Sequence, residues 1–256
     1  MADPSDASVT PIQVDILTLF PEVFANVLEE SILGRARRSG LYEVHLTNIR
    51  DFTTDRHRTV DDRPYGGGPG MVFKPEPVYD AVESVLEQKR APEESLRKVI
   101  LSPRGPTLRQ RTLRDWAARA EWIILLCGHY EGFDERIFDG LGFEPLSIGD
   151  FVLSGGEIAA MVVLDGLVRL IPSALGHPES NRYESFEEGL LDHPQYTRPP
   201  VFRDMKVPEV LMSGDHGEIA KWRREQALKR TQELRADLLD SDGSDDNDAP
   251  AEEDIS

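Results

Sequence analysis

Trp122 to Cys127 reads WIILLC, an apolar run without a polar interruption. A strand with one wet face alternates, whereas an unbroken run marks a strand covered on both faces, hence a central strand of a mostly parallel sheet. Alternating, β-rich segments predict two further strands, Ile12 to Leu19 (IQVDILTL) and Tyr42 to Ile49 (YEVHLTNI), and Val99-Ile100-Leu101 predicts a short buried one. Helices are predicted from Pro21 to Arg38, closed by Gly40, and from Glu76 to Lys89. Two more run from a Thr107–Gln110 capping box to about Arg119 and over Phe133 to Phe138. Strands alternating with helices imply βαβ units and an α/β domain with a mostly parallel sheet flanked by helices.

Ser147 to Ile171, SIGDFVLSGGEIAAMVVLDGLVRLI, carries the densest local signals. Phe151-Val152-Leu153 has strand character, and Ser154-Gly155-Gly156 breaks it. Ser154 with Glu157 fits a capping box, in which hydroxyl and carboxylate satisfy free N–H groups at a helix start. Ile158, Met161, Val162, Asp165, Val168 and Arg169 then keep helical spacing until Pro172. A strand that turns through two glycines into a helix brings bare amides close to a ligand, although the same pattern also serves as a plain junction. Two other glycine-bearing loops follow strands: Ser102-Pro103-Arg104-Gly105 and Gly128-His129-Tyr130-Glu131-Gly132. Ligands of open α/β sheets bind outside the carboxyl ends of the strands, so the three loops together can cradle one nucleoside-sized molecule.

From Ser173 to about Val207 the periodicity dissolves into a polar segment rich in Pro, His and Tyr, long for a structureless connector. Asp215 with Glu218 then opens a last helix, Gly217 to Leu234. The expected organisation is a disordered N-terminus (1–11), a main domain (12–172), a linker (173–199), a small helical domain (200–240) and an acidic disordered tail (241–256). The net charge of −18 argues against nucleic acid if spread evenly. It is not even: nine acids and no Lys or Arg follow Arg235. An RNA site would therefore be a local basic patch, and Lys221, Arg223, Arg224, Lys229 and Arg230, beside Trp222, supply one on the last helix; a solvated helix face is the plain alternative.

Several chemistries are excluded. No GxGxxG follows a strand, and neither GxxxxGK[ST] nor GxSxG occurs. The histidines never pair at metal spacing. The single cysteine, Cys127, permits no intrachain disulfide and reads as a buried small hydrophobe. MADPSDASVTP lacks the features of a signal peptide and no apolar segment approaches spanning length, so a soluble, cytoplasmic protein with no membrane partner is expected.

Four motifs carry a resemblance: RPYGGGPGMVFKPEP (63–77), CGHYEGFDERI (127–137), SIGDFVLSGGE (147–157) and GLLDHPQYTRP (189–199). In this order they resemble the bacterial tRNA (guanine-N1)-methyltransferases, the TrmD family of the SPOUT class, from about Ile12 to about Leu234. The resemblance makes 12–172 a SPOUT methyltransferase domain with a C-terminal trefoil knot and 200–240 a domain that grips the tRNA anticodon stem-loop. It implies S-adenosyl-L-methionine held by Ile100, Leu101, Pro103, Gly128, Tyr130, Glu131, Ser147, Ile148, Gly149, Phe151, Leu153, Gly155 and Gly156. The implied reaction methylates N1 of guanosine 37, immediately 3′ of the anticodon. The implied assembly is a homodimer, with each active site at the subunit interface.

For Asp192 the residues alone read as a turn carboxylate before His193-Pro194; the resemblance makes it the general base that removes the N1 proton. Arg169 reads as the ion-pair partner of Asp165 one turn back; the resemblance gives it the stabilisation of charge on guanine O6. Arg56, Arg58, Arg63 and the PYGGGPG loop read as a solvated loop, or as a cover over a flipped guanine. Glu131 is a loop acid, or support for Mg2+. His129 and Phe151 stand where the family often has arginine and tyrosine. Two rival readings are a SPOUT ribose 2′-O-methyltransferase and a non-enzymatic RNA-binding module.

Overall fold

The structure, a computed structural model, describes residues 10–176 and 184–240. The acidic tail at 241–256, residues 1–9 of the expected disordered N-terminus and residues 177–183 of the expected linker lie outside the described residues. The chain forms two compact units, Met1–Pro178 and Glu179–Ser256.

The first unit runs β1 (Ile12–Thr18), α1 (Ala25–Glu29), α2 (Ser31–Arg38), β2 (Tyr42–Asn48), β3 (Asp61–Asp62), β4 (Val72–Phe73), α3 (Pro75–Leu86), β5 (Leu96–Leu101), α4 (Gln110–Arg119), β6 (Trp122–Cys127), α5 (Glu135–Leu141), β7 (Glu144–Leu146) and α6 (Glu157–Val168). Five strands form one sheet in the order β2-β1-β6-β5-β7, with every pair parallel. β6 lies at the centre and all its residues are buried, as the unbroken run WIILLC predicts. Its alternate side chains feed two cores. Ile123 and Leu125 pack with Val14, Ile16 and the inner faces of α2, α4 and α6. Trp122, Ile124 and Leu126 pack with Leu17, Val78, Val82 and Ile137 beneath α3 and α5. Asp15 is a buried acid in the sheet: its Oδ2 accepts from Arg90 Nε at 2.9 Å and Trp122 Nε1 at 2.7 Å.

Three expectations about the elements away from α6 need correction. The helix predicted from Pro21 to Arg38 is a 3-10 turn (Pro21–Phe24) followed by α1 and α2, with extended backbone at Glu30. Leu28 and Leu33 are both buried; in one unbroken helix, residues five apart point about 140° away from each other, so the break lets both reach the core. The Thr107–Gln110 box does not form. Arg109 holds the N-cap position of α4 without a side-chain cap bond, because 106–108 pair with the chain at Ser147 instead: Leu108 N–H donates to Ser147 O at 2.7 Å and Ser147 N–H to Pro106 O at 3.0 Å. Phe151-Val152-Leu153 is not a strand; the last strand before it is β7, at one edge of the sheet, and all three side chains are exposed.

The second unit contains β8 (Val201–Phe202) and β9 (Met205–Lys206), an antiparallel pair, then α7 (His216–Leu234) and α8 (Asp237–Asp240). Asp215 caps α7 as its spacing predicts, Oδ1 accepting from Gly217 and Glu218 N–H at 3.0 and 3.1 Å. Asp215→Ala is expected to lower the stability of this unit by about 1 kcal/mol, read as a downward shift of its urea midpoint with an unchanged slope. Residues 184–199 carry no helix or strand yet are tied to α7. Leu191 N–H donates to Thr231 Oγ1 at 2.8 Å, and the Tyr196 and Trp222 rings sit 6.3 Å apart. No helix among the described residues is long and apolar enough to cross a membrane.

Candidate active site

A cavity of about 410 Å³ opens beyond the carboxyl ends of β5, β6 and β7, lined by 101–104, 128–133 and 146–156. The three glycine-bearing loops thus meet at one place. Leu101, Pro103, Gly128, Tyr130, Glu131, Ser147, Ile148, Gly149, Phe151, Leu153, Gly155 and Gly156 all line it. Ile100 does not: it is fully buried in the core beneath α3 and α5. Strand parity explains the exception, since Leu101 faces the cavity side and its neighbour must face the other.

Two glycines are required by the geometry. Gly156 N–H donates to Gly128 O at 2.9 Å, and a Cβ at 156 would lie 2.8 Å from Cys127 Cα, so no larger residue lets α6 start this close to β6. Gly149 has φ +147°, a conformation L side chains rarely adopt, with the Phe151 ring closed over it. Ser147 Oγ fixes that turn by accepting Gly149 N–H at 3.1 Å. The walls are mixed: apolar Leu101, Ile148, Phe151 and Leu153 face loop amides and carbonyls, which suits a flat base and a polar sugar.

Glu157 was the acid of the expected Ser154 capping box. That box is absent: Gly156 holds the N-cap position of α6 without a side-chain bond. Glu157 is buried instead, accepting from Thr18 Oγ1 at 2.6 Å through Oε1 and meeting His129 Nε2 at 2.8 Å through Oε2. Thr18 Oγ1 in turn accepts Phe20 N–H at 2.9 Å, and the Phe20 and His129 rings lie 4.9 Å apart. One carboxylate therefore fastens the end of β1, the loop after β6 and the start of α6 behind the cavity. Burial, with Glu157 adding to it, pushes the Cys127 thiol well above its ordinary range, so this cysteine is an inert packing group.

At the rim, Arg104 pairs with Glu135 at 2.9 Å and lies over the Phe138 ring. Glu131 N–H donates to Met71 O at 3.1 Å and its side chain packs on Gly70, so the RPYGGGPG segment ends against the cavity loop. Arg56, Arg58 and Arg63 are exposed; Arg58 pairs with Asp51. Arg169 is half-buried at the C-terminus of α6, its N–H bonded to Asp165 O. Among the described residues no group of three or more His, Cys, Asp and Glu is placed to hold a metal ion, so the Mg2+ attached to Glu131 has no ligand set here.

Asp192 belongs to the second unit. Its N–H donates to Ser185 Oγ at 2.9 Å and its carbonyl accepts from Arg230 Nη1 at 3.1 Å. Its carboxylate meets His193 Nδ1 at 2.8 Å and Gln195 Nε2 at 3.2 Å. Lys221, Arg223, Arg224 and Lys229 project from α7 as exposed cations, while Arg230 turns inward to Asp192. The contacts of Glu157, His193 and Gln195 went unread in the sequence. Glu157 looked like a local cap, and nothing in spacing marks a partner as remote as Thr18.

A parallel α/β unit whose glycine-bearing strand-end loops enclose a nucleoside-sized cavity defines a class, that of nucleotide- or nucleoside-binding α/β proteins. The sequence pattern of the family described as tRNA (Guanine-1)-methyltransferase TrmD matches residues 12–241, and the chain belongs to that family. Curated relatives called tRNA (guanine-N(1)-)-methyltransferase include one from Gloeobacter violaceus, 54% identical over 229 residues, covering 89% of this chain and 98% of the relative. Another, from Lactiplantibacillus plantarum, is 53% identical over 228 residues (89% and 91%). A third, from Dehalococcoides mccartyi, is 50% identical over 229 residues (90% and 91%).

Proposed function

We propose that this protein transfers the methyl group of S-adenosyl-L-methionine to N1 of guanosine 37 in tRNA, in the cytoplasm. The observation that carries the reading is the convergence of the three glycine-bearing loops on one cavity, within a chain of this family. The cavity holds the donor: Leu101, Ile148, Phe151 and Leu153 cover the adenine, and the backbone groups of the loops take the polar atoms. Phe151 keeps the apolar wall of the more frequent tyrosine but offers no hydroxyl.

The reaction forms the N1–CH3 bond and breaks the S–CH3 bond, leaving S-adenosylhomocysteine. The N1 proton passes to the Asp192 carboxylate. The Arg169 guanidinium stabilises charge that builds on guanine O6 as N1 loses its proton. Exposed cations of α7 take the phosphates of the anticodon stem-loop, and Arg56 and Arg63 with the 63–70 loop cover the base. The protein acts as a homodimer. Ile158 and Val162 on α6, with Val152 in the loop before it, are exposed apolar groups, which supports burial against a second copy. The trefoil knot of the class is part of the same reading, supported by membership of the family.

Mass spectrometry of nucleosides from tRNA incubated with protein and donor tests this. N1-methylguanosine is the expected product. A 2′-O-methylated ribose would favour the ribose methyltransferase, and no methylated product would favour a binding module.

A further inference from the structure

We propose that His193 is a positioning residue for the carboxylate of Asp192, and that the cluster Asp192–His193–Gln195 works only while the imidazole is neutral with its proton on Nδ1. This rests on the reading of Asp192 as the proton acceptor.

A carboxylate that is to take a proton must be ionised, and an ionised carboxylate only accepts hydrogen bonds. Gln195 Nε2 lies 3.2 and 3.4 Å from the two Asp192 oxygens, so the side-chain amide must present its NH2 to them. The same NH2 lies 3.3 Å from His193 Nε2. That nitrogen must therefore accept, which puts the ring proton on Nδ1, and Nδ1 stands 2.8 Å from Asp192 Oδ1. The three side chains form one cluster in which Gln195 donates to both neighbours and the polar edge of the imidazole faces the carboxylate. The backbone of Asp192 is held separately, through Ser185 and Arg230, so the cluster sets the aim of the carboxylate rather than the path of the chain.

Protonation of His193 breaks this arrangement in two ways. It sets an N–H on Nε2 against the NH2 of Gln195, donor against donor. It also pairs an imidazolium with the carboxylate, which favours the ionised form and weakens it as a base. The surroundings oppose protonation: burial is the largest influence, and Arg223 and Arg230 of α7 act the same way, against the pull of Asp192. Together they lower the His193 pKa from the usual 6.5. The neutral, working form therefore persists below pH 6.5 and is lost as pH falls through that lowered value.

The test is single-turnover methyl transfer to a tRNA transcript at saturating donor, from about pH 5 to about pH 8. His193→Ala is expected to be about tenfold slower near pH 7.5 with unchanged donor and tRNA affinity. His193→Asn, whose amide can donate in the place of Nδ1–H, should recover much of that rate and keep a larger fraction of it near pH 5.5 than the wild type does. A His193→Ala enzyme with the wild-type rate and pH profile overturns the inference, and so does a His193→Asn enzyme with the wild-type acid limb. Asp192→Asn separates the two levels: full activity in it sinks the reading of Asp192 itself, whereas an inactive Asp192→Asn beside a wild-type-like His193→Ala sinks only the role of His193.

Discussion

Asp192→Ala is expected to bind S-adenosyl-L-methionine as the wild type does and to lose turnover by about 10²- to 10⁴-fold, the range a positioned general base contributes. The separation follows from where the groups lie. The donor cavity is built from 101–104, 128–133 and 146–156 of the first unit, and Asp192 belongs to the second. Removing its carboxylate leaves every lining residue in place. The backbone bonds of Asp192 to Ser185 and Arg230 survive the substitution, so a folding defect is not expected. Calorimetric titration with the donor and a single-turnover assay with tRNA read the two quantities separately. Loss of donor binding in this variant, or a rate within a few-fold of wild type, would remove Asp192 from the role of base.

Glu157→Ala is expected to strike the opposite quantity. Its side chain is buried and each oxygen has a partner, Thr18 at 2.6 Å and His129 at 2.8 Å. Alanine leaves both partners unsatisfied and opens a cavity between β1, β6 and α6. Such losses together cost about 2–4 kcal/mol. For a chain of this size that is a fall in melting temperature of roughly 5–15 °C. Donor affinity should drop by at least about tenfold, because His129 and Gly155 bridge the two cavity loops and lose their common anchor. Glu157→Gln keeps one acceptor for Thr18 and the shape of the side chain, so it should lie much closer to the wild type in both respects. A Glu157→Ala enzyme with unchanged melting temperature and donor affinity would contradict the clamp.

What the sequence disclosed and what it hid divide along the range of the interactions. β6 is legible because burial on both faces leaves its mark in consecutive residues, WIILLC. The Asp215 cap is legible because its acceptor and donors lie within three residues. The two capping boxes that fail do so for one shared reason: a long-range partner outcompetes the local one. Thr107 lies in a segment that pairs with Ser147, and Glu157 bonds Thr18 across 139 residues of chain. The break between α1 and α2 is hidden in the same way, since only the core shows that Leu28 and Leu33 must both point inward. The cavity loops could be named in advance because glycine clusters after strands are local signals. The Asp192–His193–Gln195 cluster is close in sequence, yet its hydrogen-bond directions depend on side-chain geometry that no spacing encodes.

That the three glycine-bearing loops hold the methyl donor is tested most directly by amide hydrogen exchange of the free protein with and without S-adenosylhomocysteine, which keeps the nucleoside and amino-acid parts of the donor. Slowed exchange concentrated in 101–105, 128–133 and 146–156 is the predicted result. Unchanged exchange in those loops, with protection elsewhere, would contradict it.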